Sequence, residues 1–223
     1  MIRALFADFD RTVTGGDLVA DEDCLSRIGK LRKIGVHTSV VTGRKKSFMQ
    51  DFMDAHKEVF DSVVCENGCI AYHLGKWFQL SSCGYFDIVI KRFSEGGIEF
   101  DHGECIISTE TLSEEEAREM LSGISGLSTI ANIDSVMILP AAVDKGTGVR
   151  WLQEKINISI EETAGIGDGE NDLVLREVCG YFGAPATAVE AVRAKADYIA
   201  TKGYSKGTTE FVDHLMEKMV SKY

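Results

Sequence analysis

Short apolar runs alternate with stretches of helical periodicity along this chain, and this alternation restricts its fold more than any other feature. We predict strands at residues 2–8, 36–42 and 61–66, with helices between them at residues 21–34 and 45–56. Strands that alternate with helices indicate a parallel sheet covered on both faces. The predicted fold class is therefore α/β, with a doubly wound, mostly parallel sheet.

The last third of the chain resumes the alternation, whereas the middle departs from it. Helices are predicted at residues 145–156, 172–179, 189–196 and 208–220, and strands at residues 163–167, 181–183 and 198–200. A hairpin is predicted at residues 70–73 and 77–80, and a mixture of helices and short strands follows it. We therefore assign residues 1–82 and 143–223 to a core domain and residues 83–142 to a small α+β domain that lies over it.

Polar residues follow several of the predicted strands. Asp8 and Asp10 end the first strand, Thr42 follows the second, and Asp168 follows the strand at residues 163–167. Ligands of parallel sheets bind outside the carboxyl ends of the strands, so these side chains are candidates for one active site. Because side chains alternate along an extended segment, Asp8 and Asp10 should point to the same side.

The acidic residues predict a metal site. Asp8, Asp10, Asp168 and Asp172 would repel one another and raise one another's pKa if they met without a cation. A hard divalent cation with oxygen ligands relieves that repulsion, and Mg²⁺ is the common choice beside phosphate. The alternative for Asp8 and Asp10 alone is that they are unrelated loop acids.

Two further segments suit an anionic ligand. Thr42 and Gly43 offer a hydroxyl group and free backbone N–H groups where a helix starts. Lys145 opens another predicted helix, where a cation opposes the helix dipole and therefore needs a reason to be present. A phosphate ligand would supply that reason, although an ordinary helix cap and a surface lysine remain the alternatives.

The composition excludes some classes of partner and favours a location. The chain has 223 residues and a formal net charge of -11, without a basic tract, so a nucleic acid or a membrane partner is disfavoured. We interpret the six cysteines as unpaired, buried residues in a reducing compartment. Without a signal pattern or an apolar run of membrane-spanning length, a cytoplasmic location is expected. A homodimeric state is left open.

The motifs taken together resemble the haloacid dehalogenase superfamily. They are Asp8-Phe9-Asp10-Arg11-Thr12, Thr42-Gly43, Lys145 and Gly167-Asp168-Gly169-Glu170-Asn171-Asp172, in that superfamily's order. The stretch Glu66-Asn67-Gly68-Cys69-Ile70 and the inserted domain look like the branch of small sugar-phosphate phosphatases. Length and cap size most resemble archaeal-type phosphoglycolate phosphatases, with sucrose-phosphate and mannosyl-3-phosphoglycerate phosphatases as relatives.

This resemblance implies a role for each matching residue. Asp8 would be the nucleophile that forms an aspartyl-phosphate, and Asp10 would be the acid and base, with a pKa raised by neighbouring carboxylates. Asp8, Asp168, Asp172 and the backbone carbonyl of Asp10 would hold Mg²⁺. The phosphoryl group would be bound by Thr42, Gly43, Lys145 and Asn171. The implied protein is a Mg²⁺-dependent phosphatase for a small phosphorylated metabolite.

The chain departs from the superfamily pattern at Arg11, where glycine is usual. Because arginine is strained at positive φ, we expect a right-handed conformation there. Our hypothesis is that the Arg11 guanidinium contacts an acidic substrate, and a solvated loop arginine is the alternative. The same question stays open for Asp101-His102-Gly103, as a substrate-facing loop or a plain turn.

Phosphoglycolate is the first choice of substrate, and a sugar phosphate of the sucrose-phosphate or mannosyl-3-phosphoglycerate type is the second. A phosphomutase would use Asp8 in the same way but return the phosphoryl group to its substrate. A phospho-accepting receiver switch also combines acids, a threonine and a lysine on a parallel sheet, but it has no need of the inserted domain or of Asp10.

Overall fold

The computed structural model of the chain describes residues 1–132 and 135–220, apart from the side chain at position 132. Its described strands form an eight-stranded sheet and a separate four-stranded sheet. None of the helices in these residues is long and apolar enough to cross a membrane.

The first part of the chain supplies five of the eight strands of the large sheet. Its elements are β1 (Ala4–Asp8), α1 (Glu22–Lys33), β2 (His37–Val41), α2 (Lys46–Ala55), β3 (Ser62–Cys65), β4 (Ile70–His73) and β5 (Lys76–Gln79). The elements of the small sheet follow: α3 (Phe86–Glu95), β6 (Asp101–His102), β7 (Ile107–Thr109), α4 (Glu114–Met120), β8 (Leu127–Asn132) and β9 (Ser135–Pro140).

The chain then returns to the large sheet. The remaining elements are α5 (Lys145–Ile156), β10 (Thr163–Ile166), α6 (Leu173–Val178), β11 (Tyr181–Ala184), α7 (Glu190–Arg193), β12 (Tyr198–Ile199) and α8 (Tyr204–Val220). The helix α8 begins four residues before its predicted start. A side chain at Gly207 would collide with Pro185 and with the carbonyl of Lys202, so this glycine is required for packing and does not interrupt the helix.

The large sheet has the strand order β12-β11-β10-β1-β2-β3-β4-β5. Strands β12 to β3 are parallel, and the hairpin β4–β5 adds two antiparallel strands at one edge. The predicted α/β class, with a mostly parallel sheet, is therefore confirmed. Because the sheet is parallel, the carboxyl ends of β1, β2, β3 and β10 lie along the same edge.

Strand β1 lies between two apolar layers, one on each face of the sheet. Its residues before Asp8 are all apolar because both faces are buried. Leu5 and Ala7 pack on one face of the sheet with residues of α1 and α8, such as Leu25 and Phe211. Ala4 and Phe6 pack on the other face with residues of α5 and α6. Burying one leucine or phenylalanine side chain contributes about 1.5–3 kcal/mol. This packing fixes the position of Asp8 at the end of the strand.

The small sheet is antiparallel, in the order β6-β7-β9-β8. We call the unit made of this sheet, α3 and α4 the cap. The two helices cover the sheet through buried side chains such as Val89, Phe93 and Ala117. Ser113 and Glu116 form a capping box at the start of α4. The domain boundaries at residues 82/83 and 142/143 stay predictions.

The cysteines differ from the sequence-based interpretation. Cys83 and Cys105 form a disulfide, with their Cα atoms 5.5 Å apart. The free cysteines are buried: Cys24, Cys65, Cys69 and Cys179. Our prediction of six unpaired cysteines is therefore wrong for two of them. The pair meets only because the loop before β7 lies against the segment after β5, a contact that the spacing in sequence does not reveal.

Candidate active site

Three segments bring the predicted catalytic residues to one edge of the large sheet. β1 and β10 are in parallel register, with Ala7 opposite Ile166, so Asp8 and the loop of Asp168 follow neighbouring strands. Lys145 is the first residue of α5, and its preceding residue Asp144 caps the helix by accepting a hydrogen bond from the backbone N–H of Thr147. The sheet and one helix start therefore position all three side chains.

Lys145 lies between two carboxylates. Its Nζ donates to Oδ1 of Asp8 and to Oδ1 of Asp172, each at 2.6 Å, and all three side chains are buried. The other oxygen of Asp172 accepts the backbone N–H groups of Asp168 and Gly169 at 3.0 and 3.1 Å. Asp172 therefore holds the loop in place and orients Lys145.

The carboxylates of Asp8, Asp168 and Asp172 each offer an oxygen within 4.8 Å of the others. Burial, followed by the charge of Asp172, raises the pKa of Asp8 well above its usual value in spite of Lys145. The same two causes raise the pKa of Asp168 to about 6. Burial alone would lower the pKa of Lys145, but the charges of Asp172 and Asp8 raise it above its usual value. The cluster thus has an excess of negative charge that one lysine does not balance.

This excess fits a divalent cation. Carboxylate oxygens are the preferred ligands of hard cations such as Mg²⁺. Burial and the charge of Asp172 raise the pKa values of Asp8 and Asp168, and a bound divalent cation would relieve the repulsion between these carboxylates. The residues present are therefore suited to hold a divalent metal.

Asp10 has a different environment from the one we predicted. Its carboxylate accepts from Nε and Nη2 of Arg44 at 3.0 and 2.6 Å, a forked ion pair. Among the residues that the structure describes, its side chain is outside the carboxylate cluster. The expected crowding of Asp10 by other acids is therefore wrong, because Arg44 reaches it from the end of β2. The hydrogen bonds of Asp10 in turn raise the pKa of Arg44.

Arg11 also contradicts the prediction made for it, since its φ is 60°, in the left-handed region. The backbone N–H groups of Thr12, Val13 and Thr14 all point to the carbonyl of Phe9, so the chain turns tightly after Asp8. The N–H of Arg11 donates to Oγ1 of Thr14 at 2.7 Å, which supports this conformation. The turn therefore requires positive φ whichever residue occupies the position.

The remaining predicted phosphoryl-binding residues lie around this centre. Gly43 and Asn171 line the adjacent cavity. Thr42 is fully buried, and its Oγ1 accepts the backbone N–H of Arg44 at 3.0 Å. Thr42 thus supports the turn that carries Gly43 and Arg44.

A cavity of about 630 Å³ separates this centre from the cap. Its cap side is lined by His102, Ser108, Glu110, Ser135 and Met137. The Asp101-His102-Gly103 segment, whose role was left open, therefore faces the cavity, and its first two residues form strand β6.

Among the residues that the structure describes, four cationic side chains line the cavity: Arg11, Arg44, Lys45 and Lys145. Arg44, Lys45 and Lys145 have carboxylate partners. Arg11 has no ion pair among residues 1–132 and 135–220, although its charge lowers the pKa of Asp168. Arg11 is therefore the cation best able to bind an incoming anionic group.

The sequence-based reasoning missed Arg44 and Glu66. Arg44 stands beside Thr42 and Gly43, and its contact with Asp10 depends on the shape of a loop. Glu66 follows β3 directly, as Asp8 ends β1, so the strand-end signal was available for it. Its buried carboxylate contacts the cap instead of the metal cluster.

The fold and site define an α/β enzyme with a buried acidic centre beneath a small cap. The sequence pattern of the haloacid dehalogenase-like hydrolases matches residues 5–84 and 103–212. The chain therefore belongs to this family of hydrolases, as the motifs indicated.

Relatives and solved structures agree with this assignment. The chain is 24% identical to phosphoglycolate phosphatase of Methanopyrus kandleri, over 98% of this chain and 99% of the relative. It is 26% identical to phosphoglycolate phosphatase 1 of Saccharolobus solfataricus, over 97% of each chain. The structure of Thermoplasma acidophilum 0175 has the same fold, with a TM-score of 0.86 and 19% identity over 96% of this chain and 98% of that one.

Proposed function

We propose that this hydrolase is a Mg²⁺-dependent phosphatase that acts on a small phosphorylated metabolite, with phosphoglycolate as the first candidate. The observation that carries the proposal is the contact of Lys145 Nζ with both Asp8 and Asp172 at 2.6 Å, inside the carboxylate cluster completed by Asp168. The proposed nucleophile Asp8 therefore lies in contact with the cation of Lys145 and beside the carboxylates that could bind a metal ion.

In the proposed reaction Asp8 attacks the phosphorus atom. An oxygen of Asp8 bonds to phosphorus while the bond to the leaving alcohol breaks, and Asp10 gives its proton to that alcohol. Water then attacks the phosphorus atom of the aspartyl-phosphate and passes a proton to Asp10. The bond between Asp8 and phosphorus breaks, and inorganic phosphate is released. Lys145 stabilises the charge of the transferring group throughout.

Asp8, Asp168 and Asp172 would hold Mg²⁺, which supplies further positive charge for the phosphoryl oxygens. Thr12 supports this set, since its Oγ1 donates to Oδ1 of Asp168 at 3.3 Å. Gly43 and Asn171 border the place that the phosphoryl group would occupy, and Thr42 holds the turn of Gly43.

The ion pair of Asp10 with Arg44 suits the half of the reaction in which Asp10 accepts a proton. For the first half Asp10 must carry that proton, so Arg44 must move away or turn to the substrate. An arginine that exchanges a carboxylate of the enzyme for one on the substrate would link substrate binding to the release of Asp10.

The choice of phosphoglycolate rests on two supports. The relatives from Methanopyrus kandleri and Saccharolobus solfataricus are named phosphoglycolate phosphatases. Arg11 lines the cavity without an ion pair among the described residues, so it is placed to bind a substrate carboxylate.

A sugar phosphate is the second candidate, and a different part of the cavity favours it. Ser108, Glu110 and Ser135 lie on the cap side, where they offer hydroxyl and carboxylate partners for a polyhydroxylated leaving group. The volume of about 630 Å³ also leaves room for a larger substrate.

A panel of phosphorylated metabolites tests the proposal. With Mg²⁺ and no bisphosphate activator, phosphoglycolate should have the highest kcat/KM and release inorganic phosphate, and Asp8→Asn should reduce kcat by about 10⁴-fold or more. Arg11→Gly should raise the KM for phosphoglycolate and leave that for a neutral sugar phosphate unchanged. Full activity of Asp8→Asn would overturn the mechanism, whereas a sugar phosphate as the best substrate would overturn only the first choice of substrate.

A further inference from the structure

The turn after β3 has an unusual backbone. Glu66, Asn67 and Gly68 have φ values of 49°, 53° and 101°, so three successive residues lie in the left-handed region. Such a conformation is unfavourable for residues other than glycine and persists where the surroundings require it. All three residues are buried, and each contacts a different segment near the cap.

Glu66 joins the core to one loop of the cap. Its carboxylate accepts the backbone N–H groups of Glu104, Cys105 and Ile106 at 2.7–3.2 Å, and its Oε1 also accepts the N–H of Lys46 at 3.1 Å. Lys46 is the first residue of α2, which has no side-chain cap of its own. Four backbone donors from two segments therefore surround a carboxylate that is completely shielded from solvent.

Asn67 and Gly68 contact the two ends of the segment that leads from β9 of the cap to the start of α5 in the core. Nδ2 of Asn67 lies 3.2 Å from Sδ of Met137, a residue of β9 that lines the cavity. A side chain at Gly68 would collide with the carbonyl oxygen of Asp144, the residue before Lys145. The turn thus touches the cap on one side and the base of the phosphoryl-binding helix on the other.

The cap loop is shaped to fit Glu66. A side chain at Gly103 would collide with the Glu66 carboxylate, so only glycine allows this approach. Two ion pairs flank the contact, between Lys45 and Asp101 at 2.7 Å and between Lys46 and Glu104 at 2.7 Å. Gly103 and Ile106 are themselves part of the cavity wall.

We propose that the turn Glu66-Asn67-Gly68 is a seat that fixes the cap relative to Lys145, with Glu66 as a positioning residue for the leaving group. This inference rests on the proposed phosphatase function. Glu66 holds the backbone of residues 104–106, and with it the cavity wall of His102 and Gly103, at a fixed distance from Asp8. Cap motion would then be confined to the opposite side of the cavity, near β8.

The test compares Glu66→Gln with wild type in two independent measurements. The amide group would turn two donor hydrogens toward the backbone N–H cluster, so amide exchange at residues 104–106 should become at least tenfold faster. A misplaced cavity wall should lower kcat/KM for phosphoglycolate by about 10²-fold. With p-nitrophenyl phosphate, whose leaving group needs little help, kcat/KM should stay within about twofold of wild type.

Glu104→Gln is the matched control, because it makes the same substitution in the same loop at a half-exposed side chain. It should leave both measurements unchanged. Gly103→Ala disturbs the contact from the cap side and covers the case in which Glu66→Gln does not fold. It should reproduce the Glu66→Gln effects, and the double variant should be no worse than either single one.

If amide exchange at residues 104–106 is unchanged in both Glu66→Gln and Gly103→Ala, the proposal that Glu66 fixes this part of the cap is wrong. An equal loss of kcat/KM for both substrates would also overturn it, since that result indicates general damage to the catalytic centre. If wild type hydrolyses neither phosphate ester, the proposed function fails, whereas the exchange measurement still tests the seat by itself.

Discussion

Two buried carboxylate centres in this protein are stabilised in opposite ways. Glu66 is surrounded by four backbone N–H donors, and within residues 1–132 and 135–220 it forms no ion pair. Asp8 shares one lysine with Asp172 and lies close to Asp168, and burial with these like charges raises its pKa. The chain supplies enough donors to fix the first carboxylate, whereas the second is left with a charge excess that a metal ion and a phosphoryl group can use.

The largest expected difference in stability between the two centres follows from removing the lysine nearest to each one. Lys145→Met removes the cation from two buried carboxylates, so the free energy of unfolding should fall by about 3–5 kcal/mol in metal-free buffer. Turnover should fall by about 10²–10³-fold. Urea unfolding with and without a chelator, together with steady-state kinetics, measures both effects.

Lys46→Met is the matched control at the Glu66 centre. It removes a pair with Glu104 that is partly exposed, so it should cost less than about 1 kcal/mol. If the two variants unfold at the same urea concentration, the charge excess around Asp8 does not exist.

The second prediction concerns pH and metal binding. The pKa of Asp168 is about 6 in the folded protein and 3.8 in the reference state, so the folded state binds more protons between these values. The contribution of Asp168 to the stability of the metal-free protein is therefore fully present below pH 3.8 and lost as the pH rises through about 6. It should be on the order of 3 kcal/mol.

Mg²⁺ should reverse this trend. At 100 times its Kd, the ion should add about 2.7 kcal/mol of stability, and the gain should shrink below pH 6 because protons compete for Asp8 and Asp168. Thermal unfolding from pH 5 to 8, with and without Mg²⁺, measures the effect, and Asp168→Asn isolates the contribution of that group. A gain that is independent of pH and survives in Asp168→Asn would place the ion elsewhere.

The smallest expected effect concerns the disulfide near Glu66. Cys83 and Cys105 close a loop with a sequence separation of 22, but Glu66 already holds Cys105 through its backbone. Cys83→Ser should therefore cost only about 2 kcal/mol, at the low end for a disulfide. The free energy of unfolding and kcat should be measured together, with kcat unchanged.

Thiol titration provides the independent check on this pair. The denatured, non-reduced protein should expose four thiols, and the reduced protein six. Six thiols without reductant would show that the bond is absent and that the Glu66 contact alone holds the loop.

The parts of the site that depend on local pattern could be predicted from sequence. Asp8 and Asp168 follow apolar strands, and the parallel register of β1 and β10 brings such ends together. Lys145 begins α5, and the bounds of that helix match the prediction. These positions follow from strand and helix periodicity, which the sequence carries directly.

Contacts between distant segments could not be predicted in this way. The pairing of Asp10 with Arg44, the left-handed Arg11 and the Cys83–Cys105 bond each depend on how a loop folds over another segment. Glu66 had the same strand-end signal as Asp8, but its role depends on where the cap loop lies. A polar residue at a strand end therefore indicates which edge of the sheet carries the site, but it does not reveal which residue it will contact.

A crystal structure of the protein with Mg²⁺ and beryllium fluoride would test the proposed roles of Asp8 and the metal ion. We expect a fluoroberyllate group bonded to the carboxylate of Asp8 and contacted by Lys145, with Mg²⁺ held by Asp8, Asp168 and Asp172. Fluoroberyllate bound at another residue, or a metal ion located away from these three carboxylates, would contradict it.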